Sequence, residues 1–154
     1  MQNYILDFNF RESASILDNK RLFANIYENI HGLSSLLGCN RDLYTPKRSV
    51  ANHPNIKRWS GYEPTYYAYI WIHIEEWIIR GYMIGNITRY NMQLLEKYKV
   101  LYQCYSEKCP DWVTKDLIKS HQYSLLQKNP DFYKDKFLEI NLLKNKVSKI
   151  RKLI

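Results

Sequence analysis

With 154 residues, 45% of them hydrophobic, the chain is long enough for one domain with a buried core and too apolar to be disordered by default. Five Gly and five Pro are too few punctuators for many short strands and favour long helices. A net charge of +8, from 23 basic and 15 acidic residues, suits a polyanionic partner.

The first ten residues, MQNYILDFNF, have no basic segment followed by an apolar one, so no signal peptide is expected. Residues 1–11 read as an extended arm. Ser13 is the expected N-cap of a helix from Ala14 to Leu37, closed by Gly38. Its apolar stripe is Ile16, Phe23, Ile26, Ile30, Leu33 and Leu37. Asp18, Arg21, Asn25 and Glu28 share the opposite face through offsets of three, four and three. Residues 38–62 read as a long loop with Pro46, Pro54 and Gly61, holding a short helix near Asn55 to Trp59. Glu63-Pro64 starts a helix that reaches Arg80 and stops at Gly81. It is apolar nearly all round and should be the central helix. Glu75, Glu76 and Arg80 make it a buried helix and not a membrane span.

A third helix is predicted over Thr88 to Tyr105, and Pro110 breaks the chain. Thr114 can cap a helix to Gln127, and Pro130 separates it from a turn over Asp131 to Phe137. In the tail, Ile140, Leu143, Val147, Ile150 and Ile154 follow a 3-4-3-4 spacing, which predicts a basic amphipathic helix. The expected fold is all-α: a single compact domain with three main helices, an apolar central helix, long loops and a basic C-terminal helix. The division is a helical domain at 1–137 and the tail at 138–154.

The charge is concentrated in two places. Residues 41–58 carry a net +4 through Arg41, Lys47, Arg48, Lys57 and Arg58 against Asp42, and residues 138–154 carry another +4. Such patches suit phosphate, although a basic loop and a solvated tail would also explain them. Three cysteines, Cys39, Cys104 and Cys109, make no disulfide framework and no zinc spacing, which points to a reducing, intracellular compartment. No metal and no organic cofactor is expected. The Asp18–Glu28 stripe reads as an active groove or as an ordinary polar face in which Arg21 pairs with a carboxylate. His53 reads as a phosphate contact or as the cap of the short helix. His121, near Lys119 and Lys128, is a candidate DNA contact. His73 reads as a hydrogen-bonded core histidine. Glu75 and Glu76 read as ion-pair partners of Arg58 or Arg80.

Five separated strings carry a resemblance: LDNKRL (17–22), NHPNIKRWSGYE (52–63), EEWIIRGY (75–82), CPDWV (109–113) and SHQYSLLQKNPDFY (120–133). In order and spacing they resemble the pyrimidine-dimer DNA glycosylase (endonuclease V-like) superfamily, nearest to its small bacterial members. The resemblance spans about residues 4 to 137. The triplet Arg80-Gly81-Tyr82 and the segment Lys128 to Tyr133 are similar to the wider superfamily. It implies an all-helical fold, and attack by a terminal α-amine on the sugar carbon of a damaged nucleotide, assisted by a Glu on the first long helix. Those roles fall to Met1 and Glu28, because Gln2 is too large for ordinary removal of Met1. Arg21, Asn25, Lys47, Arg48, His53, Lys57, Arg58, His121 and Lys128 would contact duplex DNA.

The implied function is DNA binding with glycosylase and apurinic-apyrimidinic lyase activity through a Schiff base. No membrane is involved, and the C-terminal helix is a possible homo-oligomer contact. The alternative is a non-enzymatic nucleic-acid-binding or self-assembling protein on the same fold. It draws on one departure: where the relatives continue with Gly-Lys-Gln-Arg-Val-Glu, this chain has Phe23-Ala24-Asn25-Ile26-Tyr27-Glu28, which keeps the Glu and loses two positive charges.

Overall fold

The computed structural model describes residues 2–38, 48–83, 96, 99 and 107–138, with backbone alone at 48 and 49. The chain forms two compact units, Met1–Trp112 and Val113–Ile154. Every regular element among the described residues is a helix. The chain is all-α.

In the first unit an irregular arm, residues 2–9, leads into α1 (Phe10–Ile16), α2 (Asn19–Leu36), α3 (Arg48–Ala51), α4 (Pro54–Lys57) and α5 (Glu63–Ile79). As its composition predicts, α5 is central: Thr65 through Ile70 and Ile72 through Ile74 are all buried, and both α1 and α2 pack on it. Pro64 sits in its first turn, where its missing N–H costs nothing. Gly81, at φ 86°, follows its last turn in a conformation that only glycine adopts without strain. Gly32 of α2 is required for a different reason. A Cβ there would lie 2.7 Å from the Tyr66 hydroxyl oxygen, so α2 can approach α5 only without a side chain at that position.

The single helix expected over Ala14 to Leu37 is two helices. Leu17, the C-cap of α1, has an extended ψ of 138°, and α2 starts afresh at Asn19. The N-cap also differs from the expected one. Asn9 caps α1, its Oδ1 accepting from the Arg11 and Glu12 amides at 2.9 and 3.1 Å. Ser13 lies inside α1, and its Oγ instead accepts the Leu6 amide at 2.8 Å. The break lets two differently directed helices lie on α5 with Leu17 fully buried between the turns. Periodicity could not reveal it, because Ile16 and Phe23 suit one stripe by spacing yet both remain half-buried.

The core of the unit is aromatic. Trp59 stacks on Tyr66 at 4.4 Å and 10°, and Phe10 meets Tyr69 edge-on at 5.3 Å. His73, on α5, is fully buried. Its Nδ1 lies 2.6 Å from the Tyr69 carbonyl oxygen. A carbonyl only accepts, so Nδ1 carries the proton, and Nε2 is left as an acceptor without a donor among the described residues.

In the second unit, Thr114 caps α6 (Lys115–Lys128) through the Leu117 amide at 3.1 Å, as predicted. Then comes α7 (Pro130–Tyr133). Ile118, Leu125, Leu126, Tyr133 and Phe137 are buried, and Tyr133 stacks on Phe137 at 5.3 Å. The third helix expected over Thr88 to Tyr105 lies outside the described residues except for Glu96 and Lys99, both helical and exposed. The basic tail lies outside them except for Leu138. No helix among the described residues is long and apolar enough to cross a membrane.

Burial lowers the His73 pKa from 6.5 to about 4, with a smaller push in the same direction from Arg80 against the Tyr69 carbonyl. The neutral form therefore belongs to the folded state. Stability is full above the unfolded pKa and declines as pH falls from about 6.5 toward 4, because only the unfolded chain takes up the proton. Between about pH 7.5 and 5 the loss from this residue should be about 2 kcal/mol. Urea titrations at the two pH values should show this difference in wild type and a clearly smaller one in His73→Leu. Equal pH slopes in both would remove His73 as the cause.

Candidate active site

Residues 3–6 of the arm are buried although they belong to no helix or sheet, so their peptide groups need partners from elsewhere. Side chains of α2 and α5 supply them. Asn25 Oδ1 accepts the Tyr4 amide at 3.1 Å, and Asn25 Nδ2 donates to the Tyr69 hydroxyl at 2.9 Å. The Tyr69 hydroxyl donates to the Tyr4 carbonyl at 2.6 Å, so one Asn–Tyr pair grips both peptide groups of Tyr4. One turn further along α2, Asn29 Nδ2 donates to the Gln2 carbonyl at 3.2 Å, while the Tyr66 hydroxyl donates to Asn29 Oδ1 at 2.6 Å. Burial, then the neighbouring Tyr69, push the Tyr66 hydroxyl pKa well above its usual value, which keeps it a donor.

The remaining contact brings the start of the arm to a carboxylate. The Gln2 amide donates to Glu28 Oε2 at 3.1 Å. Glu28 is half-buried and has no ion pair among the described residues. Met1 itself lies outside the described residues. Of the other members of the predicted stripe, Arg21 pairs with Asp18 at 3.2 Å, and Asn25 is 2% exposed with its amide engaged in the arm. The face of α2 that its polarity marks as solvent-facing is thus largely covered by the arm.

The loop before α5 adds a cation. Arg58 Nη2 donates to Asn3 Oδ1, and Asn3 Nδ2 donates to the Asn55 carbonyl at 2.6 Å. The guanidinium lies over the Trp112 ring, 4.3 Å from its centroid. Burial lowers the Arg58 pKa, and Arg58 has no carboxylate partner among the described residues. The carboxylates expected to pair with it are engaged elsewhere, Glu75 with Arg11 at 2.6 Å and Glu76 with Arg80 at 2.8 Å. His53 is half-buried and caps α4, its Nδ1 accepting the Asn55 amide at 3.2 Å. Lys57 is exposed. Arg48 begins α3, with its side chain outside the described residues, and Lys47 lies outside them altogether. His121, buried, and Lys128, exposed, belong to α6 of the second unit. Among the described residues, no group of three or more His, Cys, Asp or Glu side chains could hold a metal ion.

A model of the family described as pyrimidine dimer DNA glycosylase matches residues 1–89. The chain belongs to the pyrimidine dimer DNA glycosylase family. The matched stretch contains the arm and α1 through α5, and with them the Gln2–Glu28 contact and Arg58. Trp112, at the end of the first unit, and the whole second unit with His121 and Lys128 lie outside the family match. No curated protein and no solved structure matches the chain. Family membership places the chain among DNA-repair enzymes, with DNA as the substrate class.

Sequence reasoning singled out Glu28 and Arg58 as candidates and did not single out the residues packed around them and the arm: Asn3, Asn29, Tyr66, Tyr69 and Trp112. One signal was present. Asn25 and Asn29 are four apart, so two amides stack on one helix face beside the apolar stripe, and amides at such places are seldom left without a partner.

Loss of this grip should loosen the arm. Asn25→Ala leaves the Tyr4 amide without an acceptor and should cost about 1–3 kcal/mol, with faster hydrogen exchange at Tyr4. Arg21→Ala removes only the pair with Asp18 and should cost less than about 1 kcal/mol, leaving exchange at Tyr4 unchanged. Exchange followed by mass spectrometry of the N-terminal peptide checks both. Unaltered protection in Asn25→Ala would show that the arm is held by something else.

Proposed function

We propose that this chain is a DNA glycosylase with apurinic-apyrimidinic lyase activity, using the α-amine of Met1 as nucleophile and Glu28 as the assisting carboxylate. The observation that carries the reading is the 3.1 Å bond between the Gln2 amide and Glu28. It ties the residue next to Met1 to the one half-buried carboxylate on the first long helix that has no cationic partner among the described residues. An α-amino group, with a pKa of about 7.7–8.0, is partly neutral near neutral pH and so can attack.

The amine attacks the sugar carbon, forming a C–N bond as the glycosidic bond breaks. The departing base keeps the electron pair and takes up a proton. Opening of the sugar ring leaves a protonated Schiff base between protein and DNA, from which elimination of the 3′ phosphate cleaves the strand. Glu28 stabilises the developing positive charge on the sugar and relays protons. The damaged nucleotide must leave the stack to be reached. Arg21, Lys47, Arg48, His53, Lys57 and Arg58 would hold the backbone on the first unit, and His121 and Lys128 on the second. Asn25 would contribute by fixing the arm. The basic tail would add phosphate contacts or join two copies.

Borohydride trapping on a duplex with an abasic site tests the proposal. Wild type should form a covalent adduct, and acetylation of the α-amine should abolish it. Glu28→Gln should slow strand cleavage on the order of 10²–10⁴-fold while duplex binding stays within about a factor of two or three. Binding should weaken steeply with salt as phosphates are neutralised. Wild-type protein that binds the duplex yet forms no adduct would replace this reading with a non-enzymatic DNA-binding one, which the missing positive charges at residues 23–27 favour.

A further inference from the structure

One corner of the first unit contains three buried N–H groups without an acceptor among the described residues: Arg58 Nε, Trp59 Nε1 and Trp112 Nε1. They belong to one cluster. The Arg58 guanidinium lies 4.3 Å from the Trp112 ring centroid, and Trp112 stands perpendicular to Trp59 with ring centroids 4.9 Å apart. Folded proteins leave few buried polar groups unpaired, and a group of them marks a missing water or ion. A perpendicular pair of indoles can rest at most one N–H on the other's ring face, so ring contacts do not satisfy the set.

The chemistry of the missing partner follows from what surrounds it. All three unmet groups are donors. None of them reaches a hydroxyl or carbonyl oxygen of the described residues. Arg58 makes one side-chain hydrogen bond, to neutral Asn3, and has no carboxylate among the described residues. A partly buried charge without a counter-ion is expensive, and the lowered Arg58 pKa reflects that desolvation. A water molecule would answer the donors but not the charge. An anion with several oxygen acceptors answers both, and the guanidinium fork matches a tetrahedral oxyanion with two parallel bonds.

We propose that Arg58, Trp59 and Trp112 form a binding site for a phosphate-type oxyanion. Arg58 and Trp112 are partly exposed, which gives an ion access to the cluster, and Trp59 is fully buried behind them. Neither indole belongs to the Gln2–Glu28 site, and the proposal does not depend on glycosylase chemistry. The oxyanion is either a free phosphate or a phosphate of the DNA backbone. In the second case Asn3, bonded to Arg58 and adjacent to Gln2, links the phosphate to the arm.

The test is a titration of the full chain with inorganic phosphate at constant ionic strength, with chloride as the balancing ion. Tryptophan emission and the thermal midpoint are read together. Wild type should show a saturable change in emission and a rising midpoint that chloride alone does not produce. Trp112→Phe keeps a ring beneath the guanidinium but removes one N–H, and should weaken phosphate roughly five- to tenfold. Arg58→Gln should abolish the response, and Lys20→Gln, a change at an exposed cation of α2, should leave it intact. Competition between phosphate and a short DNA duplex would assign the natural oxyanion to the backbone. Saturable phosphate binding that leaves DNA binding untouched would assign it to a free phosphate. A wild-type response no different from that to chloride overturns the proposal without recourse to any variant. So does a folded Arg58→Gln protein that still responds to phosphate as wild type does.

Discussion

The first unit depends on a constraint of backbone chemistry: a buried segment outside helix and sheet must find a partner for each peptide group. Residues 3–6 are buried in this way. The chain meets the requirement with side-chain amides and hydroxyls on three helices, α1, α2 and α5, instead of a β ladder. Asn25 and Tyr69 hold Tyr4 from both sides, Asn29 holds Gln2, and Ser13 holds Leu6. Each of these side chains is itself engaged, so the network is satisfied as a whole. Such networks lose more than one bond when one member goes, because the remaining polar groups are left buried.

The same grip gives the arm its chemical meaning. A chain terminus is normally among the most mobile parts of a domain. Here the segment from Gln2 to Leu6 is held, and the amide of Gln2 rests on the Glu28 carboxylate. Positioning of a nucleophile and a carboxylate before substrate arrives is worth several kcal/mol of barrier when the reacting groups are oriented. Cysteine, serine and lysine nucleophiles obtain orientation from their own helix or strand. In the proposed mechanism an α-amine has no such support, and the Asn–Tyr network would stand in for it.

The aromatic core performs a related task around Arg58. A guanidinium over an indole is stabilised by the ring's negative face, which allows a cation to sit partly out of water beside Trp59 and Trp112. Glu75 and Glu76 pair with Arg11 and Arg80. Arg80 also bonds the Ala14 and Ser15 carbonyls at the end of α1, so its role is to tie α5 to α1. Arg58 itself has no carboxylate partner among the described residues and is held by Asn3 and the Trp112 ring.

The sequence by itself determined the helical class, the central position of α5 and its stop at Gly81, the Thr114 cap, and the family to which Glu28 and the arm belong. Those features rest on local chemistry, such as apolar density, capping side chains, a positive φ, or residue strings. Three matters were decided only by tertiary structure. The break at Leu17 sets α1 and α2 on α5 as separate helices. His53 caps α4 through Nδ1, a role that its place in the loop allowed but did not fix. The polar face of α2 reads as open by periodicity, which counts side chains along one helix and cannot register a second segment laid across it. That segment comes from the chain's own start, more than twenty residues away from Asn25, and long-range pairing of backbone with amide leaves no periodic trace in either partner.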